Sequence, residues 1–173
     1  MIEDFRSEYR RYRLLAERGL AQVPDAALNH VPAPECNSAA MIVRHVSGNL
    51  IARFTDFLTS DGEKPSRNRD EEFQERSYTR AEMDALWSQG WAVLEGTLAE
   101  LTDADLSRTV TIRQQPLSVH AALCRSLAHV SYHVGQLVLL ARMDAPDAWQ
   151  SLSIPKGGST AYNAAPNREK APH

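Results

Sequence analysis

The sequence has few cysteines and no long run of apolar residues. Its two cysteines, Cys36 and Cys124, form no C-x-x-C pair and are too few for a disulfide framework, which agrees with a reducing compartment. No apolar stretch approaches the length that spans a membrane, and the first six residues lack the apolar core of a signal peptide. We therefore expect a cytoplasmic protein with no membrane partner.

The sequence also has no excess of basic residues. Its 19 Lys and Arg residues are outnumbered by 22 Asp and Glu residues, and no stripe of basic and aromatic residues indicates a nucleic-acid-binding surface. It lacks the G-x-S-x-G and H-E-x-x-H motifs and a glycine-rich phosphate loop. These absences argue against nucleic-acid binding and against serine hydrolases, zincin proteases and nucleotide-binding proteins.

Most of the sequence shows the apolar periodicity of α-helices. Apolar residues recur every three or four positions, and Thr79 with Glu82 forms a T-x-x-E capping box at the start of one such segment. Residues 109–112 are all β-branched and predict a short strand or hairpin. The predicted helices span residues 2–22, an Asn37 N-cap to about Leu58, Thr79 to about Leu101, and about Leu117 to Met143.

These segments predict an all-α protein built as a four-helix bundle over residues 1–150. Residues 151–173 show no helical period and are expected to form an irregular tail that packs on the bundle. Leu152, Ile154 and Tyr162 are the candidate anchors of this tail, and the residues from Asn167 onward are expected to be disordered.

A charged segment over residues 60–78 separates the second and third predicted helices. Its many charges, with a glycine and a proline, predict a loop whose side chains are solvated. If the loop instead folds over the bundle, Lys64, Arg67 and Arg69 would be placed to bind a carboxylate-bearing substrate.

The most informative motif is a pair of histidines, His129 and His133, on the last predicted helix. Four residues advance about one helical turn, so the two rings project from one face and form a chelating pair. His45, on the partly apolar face of the second predicted helix, is a third candidate ligand. Three histidines with an open fourth position describe a catalytic metal site, which suits zinc, nickel or iron alike. The alternative is that these are core or surface histidines whose ring nitrogens bond within the protein.

The chain resembles the DinB-like superfamily, and more narrowly one of its functionally uncharacterised bacterial subgroups. The resemblance rests on residues 37–49 around His45, the charged segment at 59–70, and the H-x-x-Y-H-x-G-Q segment at 129–136. It implies a four-helix bundle in up-down-down-up order, a homodimer, and one divalent metal ion per chain held by His45, His129 and His133. Related proteins include bacillithiol- and mycothiol-dependent S-transferases, maleylpyruvate isomerases and proposed metal-dependent hydrolases.

The leading functional hypothesis is therefore a metal-dependent enzyme that transfers a low-molecular-weight thiol onto an electrophilic small molecule. Asn49, Tyr132 and Gln136 are candidate substrate-binding or ligand-orienting residues, whereas the sequence names no general base. One alternative is a hydrolase in which the metal activates water at the same site. Another is a non-catalytic metal-binding module of a stress response, and a third is a purely structural homodimer without metal.

Overall fold

The computed structural model describes residues 1–145 and 147–166, and these are mostly helical. The four long helices are α1 (Ile2–Leu20), α2 (Ala39–Phe54), α3 (Arg80–Glu100) and α4 (Val119–Asp144), followed by the short α5 (Ser159–Ala164). A two-stranded antiparallel sheet, β1 (Thr109–Ile112) and β2 (Gln115–Ser118), lies before α4. The predicted helices and the predicted hairpin are confirmed, whereas the up-down-down-up order remains a prediction.

Local sequence predicted the N-terminal cap of one helix correctly and placed that of another one residue too early. The capping box of α3 forms as predicted, since the Thr79 amide donates to the Glu82 carboxylate at 2.8 Å and the Glu82 amide donates to the Thr79 hydroxyl at 3.2 Å. The predicted cap of α2 was wrong by one residue, because the Ser38 hydroxyl, not Asn37, accepts from the helix amide of Met41.

Two helix boundaries differ more from the prediction. Helix α2 ends at Phe54 rather than near Leu58, because Thr55 is extended and Asp56 takes a left-handed backbone with φ of 50°. Helix α4 begins at Val119 rather than Leu117, because Leu117 pairs with Val110 in the hairpin. The second difference arises because strand pairing holds Leu117 outside the helix.

The core lies where α2 packs against α3 and α1 packs against α4. Gly90 of α3 permits a close approach to α2, since a Cβ at this position would lie only 2.7 Å from the Ser47 Cα. Tyr9 of α1 is buried and donates its hydroxyl to the Leu123 carbonyl of α4. Other fully buried side chains include Trp91, Phe54, Ile42, Leu50, Leu94 and Leu137.

The segment at 60–78 folds back over α2, and its predicted solvation was wrong for two charged side chains. Glu72 is 5 % exposed, and the Arg67 side chain is also 5 % exposed. Glu72 belongs to a 3₁₀ turn over Asp70–Phe73, the one regular element of the segment. The rest of the segment is irregular, in agreement with the predicted loop.

Hydrogen bonds to Asp61 connect this segment to the hairpin. Its carboxylate accepts from the backbone amides of Glu63, Arg113 and Gln114 at 2.7–2.8 Å. Arg113 and Gln114 form the two-residue hairpin turn and both have positive φ, which is the geometry that suits the twist of a hairpin. These hydrogen bonds hold the pKa of Asp61 far below its usual range.

The described part of the C-terminal segment contains one short helix, α5, where the sequence predicted irregular backbone. Trp149 packs against the core, and a Leu152 methyl lies 3.6 Å from where a Cβ at Gly19 would be. Ile154, expected as an anchor, is 38 % exposed, whereas Tyr162 is half-buried. The predicted disorder from Asn167 onward lies outside the described residues, and the domain boundary at 150 remains a prediction.

Candidate metal centre

Three histidines from two helices meet at one point. Helix α4 presents His129 and His133 from successive turns, with ring centroids 4.6 Å apart, and α2 contributes His45, whose ring lies 5.1 Å and 4.8 Å from those two. The three rings offer one nitrogen each within 4.8 Å of one another. The predicted cluster of His45, His129 and His133 is therefore present, and it is close enough to bind a metal.

The distance between ligand atoms fits a metal site. The Nε2 atoms of His45 and His129 lie 3.0 Å apart, whereas two nitrogens bound to one tetrahedral zinc ion at about 2.0–2.1 Å lie roughly 3.3 Å apart. At 3.0 Å one of these nitrogens can donate its proton to the other, and a bound cation would take the place of that proton.

Hydrogen bonds at the Nδ1 atoms orient two of the three histidine rings. His45 donates its Nδ1–H to the Glu72 carboxylate at 2.8 Å, and His133 donates its Nδ1–H to the Gln136 side-chain carbonyl at 2.8 Å. Each bond places the ring proton on Nδ1 and leaves the Nε2 lone pair free, as in histidines that bind metal. The Nδ1 of His129 is buried and has no hydrogen-bond partner among the described residues.

Sequence reasoning missed Glu72, which is the acid nearest the histidines. Its two carboxylate oxygens accept from the Arg67 Nε and Nη2 at 2.8 Å each, and one of them also accepts from His45. Burial raises the pKa of Glu72, but the hydrogen bonds and charges of Arg67 and His45 outweigh it and lower the pKa overall. Glu72 is therefore ionised at neutral pH.

A glycine on α2 makes room for this carboxylate. A Cβ at Gly48, three residues after His45, would overlap with the Glu72 Oε1. Gly48 was the only local signal for Glu72, because a glycine within a helix is costly and indicates a close neighbour. It did not reveal which residue that neighbour was.

The electrostatic surroundings keep the α4 histidines neutral. Burial lowers the pKa of His129 to about 3, and the charge that His133 and His45 carry when protonated acts in the same direction, as do Arg67 and Arg53. Burial also lowers the pKa of His133, as does His45. Neutral imidazole is the form that binds a metal, so at pH 7 neither ring must first lose a proton.

The histidines lie in the wall of a cavity of about 460 Å³, which Asn49, Tyr132 and Gln136 also line. Asn49 is 9 % exposed, and its side chain forms no hydrogen bond within the described part of the chain. The Tyr132 ring is 63 % exposed and packs edge-on against His133 at 5.0 Å. The three auxiliary residues predicted from sequence therefore lie at the site.

The three basic residues of the charged segment have different positions. Arg67 and Arg69 line the cavity, whereas Lys64 does not. The Lys64 ammonium donates to the Ser60 hydroxyl and the Asp61 carbonyl. The hypothesis that this segment presents arginines to a substrate therefore applies to Arg69, because Arg67 is engaged by Glu72.

Comparison with known proteins places the chain in a family. No curated protein and no solved structure matches it. One family model, described as a protein of unknown function (DUF1572), matches residues 1–158. No described helix has both the length and the apolar character needed to cross a membrane. With most of its length matched by that model, the chain belongs to the DUF1572 family.

Proposed function

We propose that this protein is a metal-dependent enzyme that transfers a low-molecular-weight thiol onto an electrophilic small molecule. His45, His129 and His133 would hold one zinc, nickel or iron ion. The observation that carries the proposal is the convergence of three imidazoles on a cavity wall, with two of their Nδ1 protons directed away from that point into hydrogen bonds. Four long helices and this cluster also support the proposed DinB-like relationship and an up-down-down-up bundle over residues 1–150.

The ligand set favours catalysis over a structural role. Three protein ligands leave a coordination position open, as catalytic zinc sites do. A bound divalent ion would lower the pKa of a small thiol, so that the thiol would attack the electrophile as a thiolate; the thiol proton would pass to solvent and the displaced group would keep the bonding electrons. Glu72 and Gln136 hold the ligand rings, and Asn49 and Tyr132 offer hydrogen bonds to the substrate.

The test is thiol consumption by the metal-loaded protein. Zinc-loaded protein should consume cysteine or coenzyme A in the presence of a chlorinated nitroarene faster than protein treated with a chelator does, because the metal increases the thiolate fraction. Free thiol is measured over time. Metal-dependent ester hydrolysis with no thiol consumed would reject the transferase in favour of a hydrolase, and bound metal with neither reaction would favour a binding module.

We further propose a homodimer formed through α4. Tyr132, Leu139 and Met143 are 63 %, 59 % and 56 % exposed, and spacings of seven and four residues place them on one helix face. Gly135 belongs to the same face, and a Cβ there would meet no described atom within 4 Å. A helix glycine with no neighbour in its own chain suits the close approach of a second helix. An apolar stripe of this kind supports a protein partner, for which a second copy is the simplest candidate.

Charge on this stripe is expected to separate the dimer. Leu139→Glu should convert a wild-type dimer to a monomer in sedimentation velocity, because it would bury a carboxylate at the contact. Ile154→Glu is the control, since Ile154 is partly exposed outside α4 and should leave the dimer intact. A monomeric wild-type protein at micromolar concentration would contradict this proposal.

A further inference from the structure

The cavity beside the histidines has a strongly positive wall. Among the described residues that line it, none is Asp or Glu. Five are arginines, and they come from α2, the charged segment, the hairpin turn and α4: Arg53, Arg67, Arg69, Arg113 and Arg125. The chain as a whole has a formal net charge of −3, so positive charge is concentrated at this cavity.

Carboxylates behind the wall neutralise only part of this charge. Glu72 is engaged by Arg67 and His45. Glu63 is shared by two arginines, since it accepts from the Arg53 Nη2 at 3.2 Å and from the Arg113 Nε at 2.8 Å. Burial lowers the pKa of Arg53 despite Glu63, and the nearby charges of Arg67 and Arg113 also lower it. One carboxylate shared by two guanidiniums leaves a net positive charge at this part of the wall.

The remaining two arginines have little or no acidic partner. Arg69 lies 4.0 Å from Asp70, a carboxylate that is 95 % exposed, and its guanidinium lies 5.0 Å from the Phe73 ring centroid. Arg125 is exposed, and its guanidinium has no hydrogen bond or ion pair with any residue that the structure describes. It lies on α4 four residues before His129, so it projects from the same face one turn away.

An unpaired arginine beside a metal site is suited to a ligand with an oxyanion. A guanidinium binds a carboxylate or a phosphate through two parallel hydrogen bonds, and this geometry holds a substrate in one orientation. Apolar side chains, including Phe54, Phe57 and Phe73, also line the cavity. They would contact the uncharged part of the same molecule.

We infer that the substrate of this site is a small anion whose carboxylate or phosphate group is bound by Arg125, with Arg69 contributing from the charged segment. The inference rests on the proposed function, because it names the chemical class of the molecule that the metal site acts on. It assigns Arg125 a binding role that neither its helix nor the protein core requires.

The test compares two exposed arginines of α4. Arg125→Gln removes the cavity guanidinium, whereas Arg142→Gln removes a guanidinium near the end of the same helix, away from the cavity. Zinc-loaded wild type and both variants are titrated with inorganic phosphate and with succinate by isothermal calorimetry. We expect Arg125→Gln to weaken anion binding about tenfold, as the loss of a charge-assisted hydrogen bond does, and Arg142→Gln to bind like wild type.

Each outcome has a defined meaning. Binding of phosphate alone or succinate alone, if dependent on Arg125, identifies the preferred anion and supports the inference. No binding of either anion to wild type, or equal binding by Arg125→Gln, overturns it, and so does an equal loss in Arg142→Gln. Zinc content is measured in parallel and should be the same in all three proteins. If zinc is absent, Arg125-dependent anion binding by the metal-free protein would show that the proposed function fails while the anion site is real.

Discussion

Alanine at His129 or at His133 is expected to remove metal binding from this protein. Either substitution leaves two of three ligands, and the loss in affinity should exceed about 100-fold, because replacing a residue that merely orients a ligand already costs about 10–100-fold. The measurement is metal content by plasma mass spectrometry on protein purified without an affinity tag, followed by competition titration with zinc. Wild type should hold about one ion per chain.

The matched control is His120→Ala. His120 also lies on α4, but it is exposed and its ring contacts Phe5 and Cys124 rather than the cluster. This variant should keep the wild-type metal content. Equal metal in His129→Ala and wild type after reconstitution would contradict a three-histidine site, and a loss in all three variants would indicate unfolding, which circular dichroism would reveal.

Local spacing explains why so much of the site could be predicted. His129 and His133 are one turn apart, so any helix through these residues brings their rings together. The capping box of Thr79 and the hairpin at Thr109 are likewise determined by neighbours within a few residues. The position of His45 beside these two rings cannot be predicted from spacing alone, because it depends on how α2 packs. The partly apolar face of the second predicted helix made His45 a candidate, and the resemblance to the DinB-like superfamily implied its pairing with His129 and His133.

The parts that sequence reasoning missed depend on contacts between distant segments. Glu72 is 27 residues from His45 in the chain, and it lies in a charged segment that has the composition of a solvated loop. Its burial depends on Arg67 as a partner, on Asp61 holding the segment to the hairpin, and on Gly48 leaving space on α2. None of these conditions is expressed as a period or a motif in the sequence.

Removing the Glu72 carboxylate is expected to weaken both the site and the fold. Glu72→Ala leaves the Arg67 guanidinium buried without its partner, a change that lowers the free energy of unfolding by about 3–5 kcal/mol. It also removes the acceptor that fixes the His45 proton on Nδ1, so zinc affinity should fall about 10–100-fold. Urea denaturation of the chelator-treated protein measures the first effect, and zinc competition measures the second.

Two further variants separate these effects. In Arg67→Met with Glu72→Ala no buried charge is left unpaired, so stability should recover in part while zinc affinity stays low. Gly48→Ala retains the carboxylate but places a methyl group where its Oε1 lies, so Glu72 must move away from His45. If Gly48→Ala lowers zinc affinity as much as Glu72→Ala does, the position of the carboxylate against His45 determines the effect. Wild-type affinity in both would show that His45 needs no such partner, and that Glu72 serves only to bind Arg67.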